Sequence, residues 1–508
     1  MADLRIVSMS TDENVGRPEV RVSEGWLRGS SAGNVRSFLS VPYAAPPVRS
    51  LRFAEPEPPI PWKGMRAAHE KGSTAPQKVR DFPGLDIAPL VGNGWVEGDD
   101  YLTLNIWRPD SETRGLPVMV FIHGGGFVLG SKDAAVSDGS AFARDGVVCV
   151  AINYRLGIEG FLPIPDVPTN LGLRDQIAAL RWVRSNISEF GGDPANITVF
   201  GESAGAMSIA TLITSPRARG LFRRAILQSG HGGMTRDISV ARRLVKKLAK
   251  ILDVTPDAAG FRSVTRRAAV EAVATVSQPG TRLDLRDAEG REPAFGISRF
   301  IPVHGDDVLP QKPLDALAAG AGMDIDLLIG SNAEEMNLYL VPSGARDKVG
   351  CFLAVLALRK SQPQAHKVLK AYGLGGKGTS PGEALISAMT DLVFRWPARR
   401  FAEMHQGRTH VYEFEWRSPA FGGSLGACHG LELPFVFDTL TSTTGTDGLV
   451  GTHPPKELAE RIHGIWLAFA TDGTLPWKLF DKSTRHVYRL QAGKADYEPP
   501  MPAAAFLP

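Results

Sequence analysis

Five short stretches of the chain are hydrophobic at nearly every position: Pro117–Ile122, Val147–Asn153, Ile197–Phe200, Ala225–Gln228 and Asp326–Ile329. A strand with one face in water alternates apolar and polar residues. Continuous apolar runs instead predict strands covered on both faces. Between them the period lengthens. Asp175–Ile187 spaces Ile177, Leu180, Val183 and Ile187 at three or four residues, and Met207–Ile213 continues from a glycine turn. Pro455–Ala470 sets Leu458, Ile462, Ile465, Trp466 and Phe469 on one side. Strands alternating with helices predict an α/β protein with a mostly parallel central sheet. The N-terminal part breaks this rhythm. There Val20–Val22, Gly25–Leu27 and Arg36–Val41 are separated by Gly and Ser turns and predict antiparallel hairpins.

Three other segments stand out. Val240–Leu252 reads as a basic amphipathic helix with Arg242, Arg243, Lys246, Lys247 and Lys250, a solvated polar face over an apolar stripe, with a membrane-surface or partner role as the alternative. Gly373–Glu383 reads as a mobile loop; it fails as a phosphate loop because Gly378 follows Lys377 where Ser or Thr is required. The apolar run Phe352–Leu358 falls far short of the roughly 20 residues of a membrane-spanning helix.

Composition narrows the class. At about 150 residues per domain, 508 residues suggest three or four domains. A hydrophobic share of 43% with 22% charged residues is that of a folded chain with a large core. The net charge of +3 gives no electrostatic case for nucleic acid. Cys149, Cys351 and Cys428 are far apart and odd in number, which argues against a disulfide framework or a cysteine-rich metal site. The first residues, MADLRIVSMSTDENVGR, lack the apolar core of a secretory signal. The expectation is a cytoplasmic protein, a monomer or weak homo-oligomer, without nucleic-acid or membrane partners.

The pattern G-x-S-x-G occurs twice, around Ser31 and around Ser203. A nucleophile elbow needs a strand before the serine and a helix after it. Ser203 has both: Ile197–Phe200 runs in and Ala206–Ala210 runs out, whereas Ser31 lies in a hairpin pattern. Acyl transfer also requires N–H donors for the oxyanion of the tetrahedral intermediate. His123-Gly124-Gly125-Gly126 follows the strand Pro117–Ile122 and precedes the elbow, as in the HGGG-type loop of esterases and lipases. Gly125, Gly126 and Ala204 are the candidate donors. His123 reads as support for the turn. Phe127, Val128 and Leu129 beside the loop are candidates to bound an apolar substrate pocket, with Phe127 as the named substrate-binding residue.

These residues resemble the type B carboxylesterase and cholinesterase-like family of α/β-hydrolases over nearly the whole chain. The likeness includes Val41-Pro42-Tyr43-Ala44, Leu51-Arg52-Phe53, Leu102–Trp107, Asn153-Tyr154-Arg155-Leu156-Gly157, Phe190–Pro194 and Gln228-Ser229-Gly230. The resemblance implies an α/β-hydrolase fold with helical cap insertions and a Ser–Glu–His triad. Gly330-Ser331-Asn332-Ala333-Glu334-Glu335-Met336 occupies the place of the family's acid, making Glu335 the match; Glu334 and Met336 depart from the family pattern and leave the neighbouring glutamate as the alternative. His429, in Cys428-His429-Gly430-Leu431-Glu432-Leu433-Pro434-Phe435, matches the family histidine. The resemblance further implies salt bridges Arg52–Asp99 and Arg155–Asp175, a supporting Ser229 near the acid, and Glu202 as a buried neighbour of the nucleophile. The disulfide of secreted members would fall near Ala75 and Tyr101, and neither position is cysteine. Trp95 does not fit the spacing of a choline-binding tryptophan, so a cholinesterase is not expected.

The expected function is therefore hydrolysis of small to medium apolar carboxylic esters through an acyl-enzyme, with no cofactor and no metal. A carbamate or aryl-amide hydrolase with the same triad is the alternative, and a non-catalytic scaffold a minor one. Because the motifs run from Val20 to His429 and must meet at one sheet edge, the three- or four-domain division gives way to a single catalytic domain, 1–508. Helical insertions are expected at about 231–325 and 348–408.

Overall fold

A computed structural model describes residues 17–278, 280–502 and 504–506. The N-terminal segment read as lacking a signal lies outside them, apart from Arg17. The strands in chain order are β1 Glu19–Val22, β2 Gly25–Arg28, β3 Ser30–Ala32, β4 Val35–Pro42, β5 Met65–Ala67, β6 Thr103–Pro109, β7 Leu116–Ile122 and β8 Val148–Ile152. There follow β9 Gly192–Glu202, β10 Arg224–Gln228, β11 Arg236–Asp237, β12 Val303–His304, β13 Asp326–Asn332, β14 Thr409–Phe414, β15 His486–Arg489 and β16 Lys494–Tyr497. Eleven form one sheet in the order β16-β15-β14-β13-β10-β9-β7-β8-β6-β4-β3. From β15 to β8 all neighbours are parallel. The edges, β16 on one side and β6-β4-β3 on the other, are antiparallel. This is the α/β-hydrolase fold. The expected N-terminal hairpins form as β1-β2 and β3-β4.

The apolar runs are continuous because each strand feeds two cores. Val118, Val120 and Ile122 of β7, with Val199 and Leu227, join one buried cluster. The residues between them, Met119 and Phe121, with Phe200 and Ile226, join the other. The helices Leu171–Asn186 and Ala204–Thr214 cover the first face through Ile177, Leu180, Val183 and Ile209. The helix Lys456–Asp472 covers the second with Leu458, Ile462, Ile465, Trp466 and Phe469.

Strand register brings the future site together. Glu202 at the end of β9 stands opposite Gln228 of β10, and Gln228 stands opposite Gly330 of β13. Ile122, the last residue of β7, pairs with Gly201. The turns after these strands, carrying His123–Gly126, Ser203, Ser229 and Glu335, therefore open at one edge, where an open α/β sheet places its ligands.

The Arg155–Asp175 pair forms as expected, at 2.7 and 2.8 Å between two fully buried side chains. Removing one partner of a buried ion pair strands the other charge, which costs about 3–5 kcal/mol. Asp175→Asn should thus destabilise the fold by that amount, read as a lower urea midpoint. An unchanged midpoint would mean that water reaches Arg155.

Two expectations need correction. Arg52 does not pair with Asp99. Its Nε donates to Glu159 Oε1 at 2.8 Å, and Glu159 also accepts the Tyr101 hydroxyl at 2.7 Å. Asp99 is solvent-facing and pairs with Arg266 at 2.7 Å. A buried guanidinium takes the buried carboxylate, and the helix Arg266–Ser277 brings its own cation to the exposed one. Gly373–Glu383 is not loop throughout. Ser380 caps a helix Pro381–Thr390, its hydroxyl accepting from the Glu383 N–H while the Glu383 carboxylate accepts from the Ser380 N–H. The helix Ile238–Leu252 buries Val240, Leu244, Val245 and Leu248 and leaves Arg242, Arg243, Lys246 and Lys250 exposed.

Candidate active site

Ser203 joins β9 to the helix Ala204–Thr214 at φ 53° and ψ −122°, a conformation strained for any residue with a Cβ. The strain is held by bonds on both sides. Its N–H donates to Gln228 O, and its carbonyl accepts from Met207 N–H, each at 2.9 Å. Gly205 has no substitute here, since a Cβ would stand 1.9 Å from the Ile122 carbonyl oxygen. Ser31 lies in the β3-β4 hairpin, with no helix after it.

The loop after β7 curls in front of the serine. Gly125 adopts φ 100°, and a Cβ there would meet Leu129 O at 2.0 Å. Among the described residues no protein group accepts from the Gly125 or Gly126 N–H. Ala204 opens its helix, so its N–H has no acceptor one turn back. These three amides are available to an oxyanion beside the helix N-terminus, where negative charge is favoured. His123 braces the loop. It stacks on Tyr154 at 4.5 Å, and its Nδ1 lies 2.9 Å from Gly124 O. Burial lowers its pKa to about 4, so the ring is neutral.

His429 Nδ1 lies 2.7 Å from Glu335 Oε2, while Glu335 Oε1 accepts the Asn332 N–H at 2.7 Å. Glu335 is fully buried. Glu334 points away, pairing with Arg417 and accepting from the Ala427 N–H. Loop geometry thus separates two glutamates that composition alone could not.

The far side of the imidazole was not anticipated. His429 lines the same cavity as Ser203, yet its Nε2 stands 3.0 Å from Glu202 Oε1 and forms no hydrogen bond among the described residues. Burial alone would lower the proton affinity of His429. The Glu202 charge, with Tyr339 and the bond to Glu335, outweighs burial and holds the pKa well above the usual histidine value. Phe394 and Tyr339 flank the ring at 4.7 and 5.7 Å. Glu432 is a further buried carboxylate that sequence reasoning passed over, although it lies within the His429 motif. It accepts from Asn332 Nδ2 and Gln228 Nε2 at 2.6 and 3.0 Å, and burial followed by the charges of Glu202 and Glu335 raises its pKa to about 7.

Phe127 is a correction. It is fully buried, packs on Phe161 at 4.6 Å and belongs to the core below the loop. Its neighbours Val128 and Leu129 do line the cavity. Phe127 itself takes φ 64°, which turns the side chain inward while its carbonyl accepts from the Gly157 N–H. Ser229 Oγ is buried without a hydrogen-bond partner among the described residues, so the expected bond near the acid is not made. Cys149, Cys351 and Cys428 are all free. Among the described residues no cluster of His, Cys, Asp or Glu is placed to hold a metal ion.

The cavity in front of Ser203 and His429 measures about 450 Å³. Its walls are largely apolar. Leu90 and Val91 stand on one side, Val270 and Val273 of the helix Arg266–Ser277 on another, and Leu338 beside the histidine.

Comparison with known proteins identifies the family. The profile of the carboxylesterase family matches residues 16–497. The chain is 36% identical to the para-nitrobenzyl esterase of Bacillus subtilis over 492 residues, covering 93% of this chain and 94% of that protein. It is 35% identical to the phenmedipham hydrolase of Pseudarthrobacter oxydans, over 90% and 91% of the two chains. Among solved structures, a carboxylesterase of Geobacillus stearothermophilus superposes with a TM-score of 0.82 at 32% identity, over 97% of this chain and all of that one. A PNB esterase superposes with a TM-score of 0.81 at 30% identity, again over 97% and 100%.

Proposed function

The chain belongs to the carboxylesterase family and is a carboxylic ester hydrolase, and on that premise we propose that it works through a serine acyl-enzyme with Ser203, His429 and Glu335 as its triad. The observation that carries this reading is the 2.7 Å contact of His429 with Glu335 in the same cavity wall that presents Ser203 at a strained strand–helix turn. His429 takes the Ser203 proton as Oγ attacks the ester carbonyl. The amides of Gly125, Gly126 and Ala204 hold the oxyanion. His429 then protonates the departing alcohol, and a water activated the same way releases the acid. Glu335 fixes the tautomer that leaves Nε2 free and stabilises the imidazolium. The apolar walls favour small to medium apolar acyl and alcohol groups.

The direct test is labelling with an organophosphonate. The adduct should map to Ser203 by mass spectrometry and be absent in Ser203→Ala; an adduct on another residue would remove the assignment.

Glu202 sets a pH dependence. His429 is a base only when neutral, and its pKa is raised. Activity must therefore fall as pH drops through that raised value, so the acid limb of kcat/KM should lie above 6.5. In Glu202→Gln the raising charge is gone, and the limb should move to lower pH. The stability effect has the opposite sense. Charged His429 stabilises the fold fully below the unfolded histidine pKa, and this contribution fades as pH rises through the folded value. An identical limb in both proteins would show that Glu202 does not hold the proton on His429.

A further inference from the structure

The helix Cys351–Arg359 carries its large apolar side chains outward. Phe352 is 76% exposed, Leu353 53% and Leu356 46%. Ala354 and Leu358 turn inward, with Val355 half-buried beside them, onto a small separate core with Ala365, Val368, Leu369 and Leu385. The run is too short to cross a bilayer, and among the described residues no helix is long and apolar enough to do so. Single exposed apolar residues are ordinary, but three on adjacent turns form a patch that marks an association site.

The surrounding charge indicates the partner. Residues 348–382 hold Lys348, Arg359, Lys360, Lys367, Lys370 and Lys377 and no aspartate or glutamate, six cations in a chain whose net charge is only +3. All six are exposed, and none forms an ion pair among the described residues. A short apolar helix face that ends in Arg359 and Lys360, within a segment of unpaired cations, is complementary to a surface that is negative outside and apolar beneath. A second copy of the chain fits less well, because it would set the same six cations against their equals.

We propose that this face docks on an anionic lipid bilayer. Phe352, Leu353 and Leu356 enter the boundary below the headgroups, while Lys348, Arg359 and Lys360 meet lipid phosphates. The helix follows Leu338 and Tyr339 of the cavity wall in the chain, after one short helix, Ala345–Lys348, so docking holds the ester site near a phase that concentrates apolar esters. This departs from the sequence-based expectation of no membrane partner, which rested on the lack of a spanning segment. It also goes beyond the hydrolase reading and can fail without it.

The test is sedimentation of the full chain with phosphatidylcholine–phosphatidylglycerol vesicles and with pure phosphatidylcholine vesicles. The anionic vesicles should bind it, and added salt should release it. Phe352→Asp with Leu356→Asp, and separately Arg359→Gln with Lys360→Gln, should each weaken binding about tenfold or more. Hydrolysis of soluble p-nitrophenyl acetate should stay unchanged in both variants, showing that they fold. Equal binding of the variants and the parent chain, or equal binding to neutral and anionic vesicles, overturns the proposal. So does a dimer that Phe352→Asp dissociates in a chain that ignores vesicles.

Discussion

Ser203→Ala should lower kcat for a p-nitrophenyl ester by about 10⁶-fold, the scale seen when the nucleophile of a serine hydrolase is removed. At about 1.4 kcal/mol per tenfold, that is roughly 8 kcal/mol of lost transition-state stabilisation. What survives comes from the oxyanion amides of Gly125, Gly126 and Ala204 and from binding, which can still polarise the ester toward water. The variant isolates chemistry from folding because of the backbone at position 203. Its φ of 53° strains any side chain with a Cβ, and alanine keeps that Cβ. The strain is thus unchanged, and no buried bond is lost, since the Ser203 hydroxyl makes none among the described residues. The thermal midpoint should match that of the parent chain. Hydrolysis within tenfold of the parent rate would remove Ser203 from the nucleophile's place. A collapsed midpoint would mean instead that the hydroxyl supports the elbow.

Much of this site is legible in the sequence, for a physical reason. A nucleophile elbow and an oxyanion loop need glycine where a Cβ would strike backbone, and Gly205 against Ile122 and Gly125 against Leu129 leave that need written in the sequence. The buried strands were legible for the same kind of reason, since residues that feed two cores must be apolar at every position. What escaped was direction. Phe127 sits one residue after the glycines, and only its positive φ decides that it enters the core while Val128 meets the cavity. The resemblance pairs Arg52 with Asp99, but the insertion helix brings Arg266 to both Asp99 and Glu159, and Arg52 shares the buried Glu159 with it. The run Phe352–Leu358 is apolar at every position and too short to span a membrane. Hydrophobicity alone does not say whether its neighbours cover it, and here they do not.

The adjacent glutamates give the second large effect. Glu335→Gln should cut kcat by about 10⁴-fold, as a triad with the wrong histidine tautomer does, whereas Glu334→Gln should stay within a factor of a few. Glu335 uses both oxygens as acceptors, one from the Asn332 N–H and one from His429 Nδ1. Glutamine has one acceptor and one donor to offer the same two partners. If its oxygen faces Asn332, its NH₂ meets Nδ1 and forces the proton to Nε2, where a base is required. If its oxygen faces His429, two N–H groups collide at Asn332, and a buried unpaired donor costs about 1–3 kcal/mol. The charge that would stabilise the imidazolium is lost in either arrangement. Glu334 instead pairs with a half-exposed Arg417 at the surface, an interaction worth about 0–1 kcal/mol. Steady-state kinetics on both variants, with the Glu202→Gln pH profile beside them, separates the carboxylate that orients His429 from the one whose charge raises its pKa. A large loss in Glu334→Gln with Glu335→Gln near the parent rate would move the acid by one residue. Equal small losses in both would mean that His429 keeps its tautomer without a carboxylate at Nδ1.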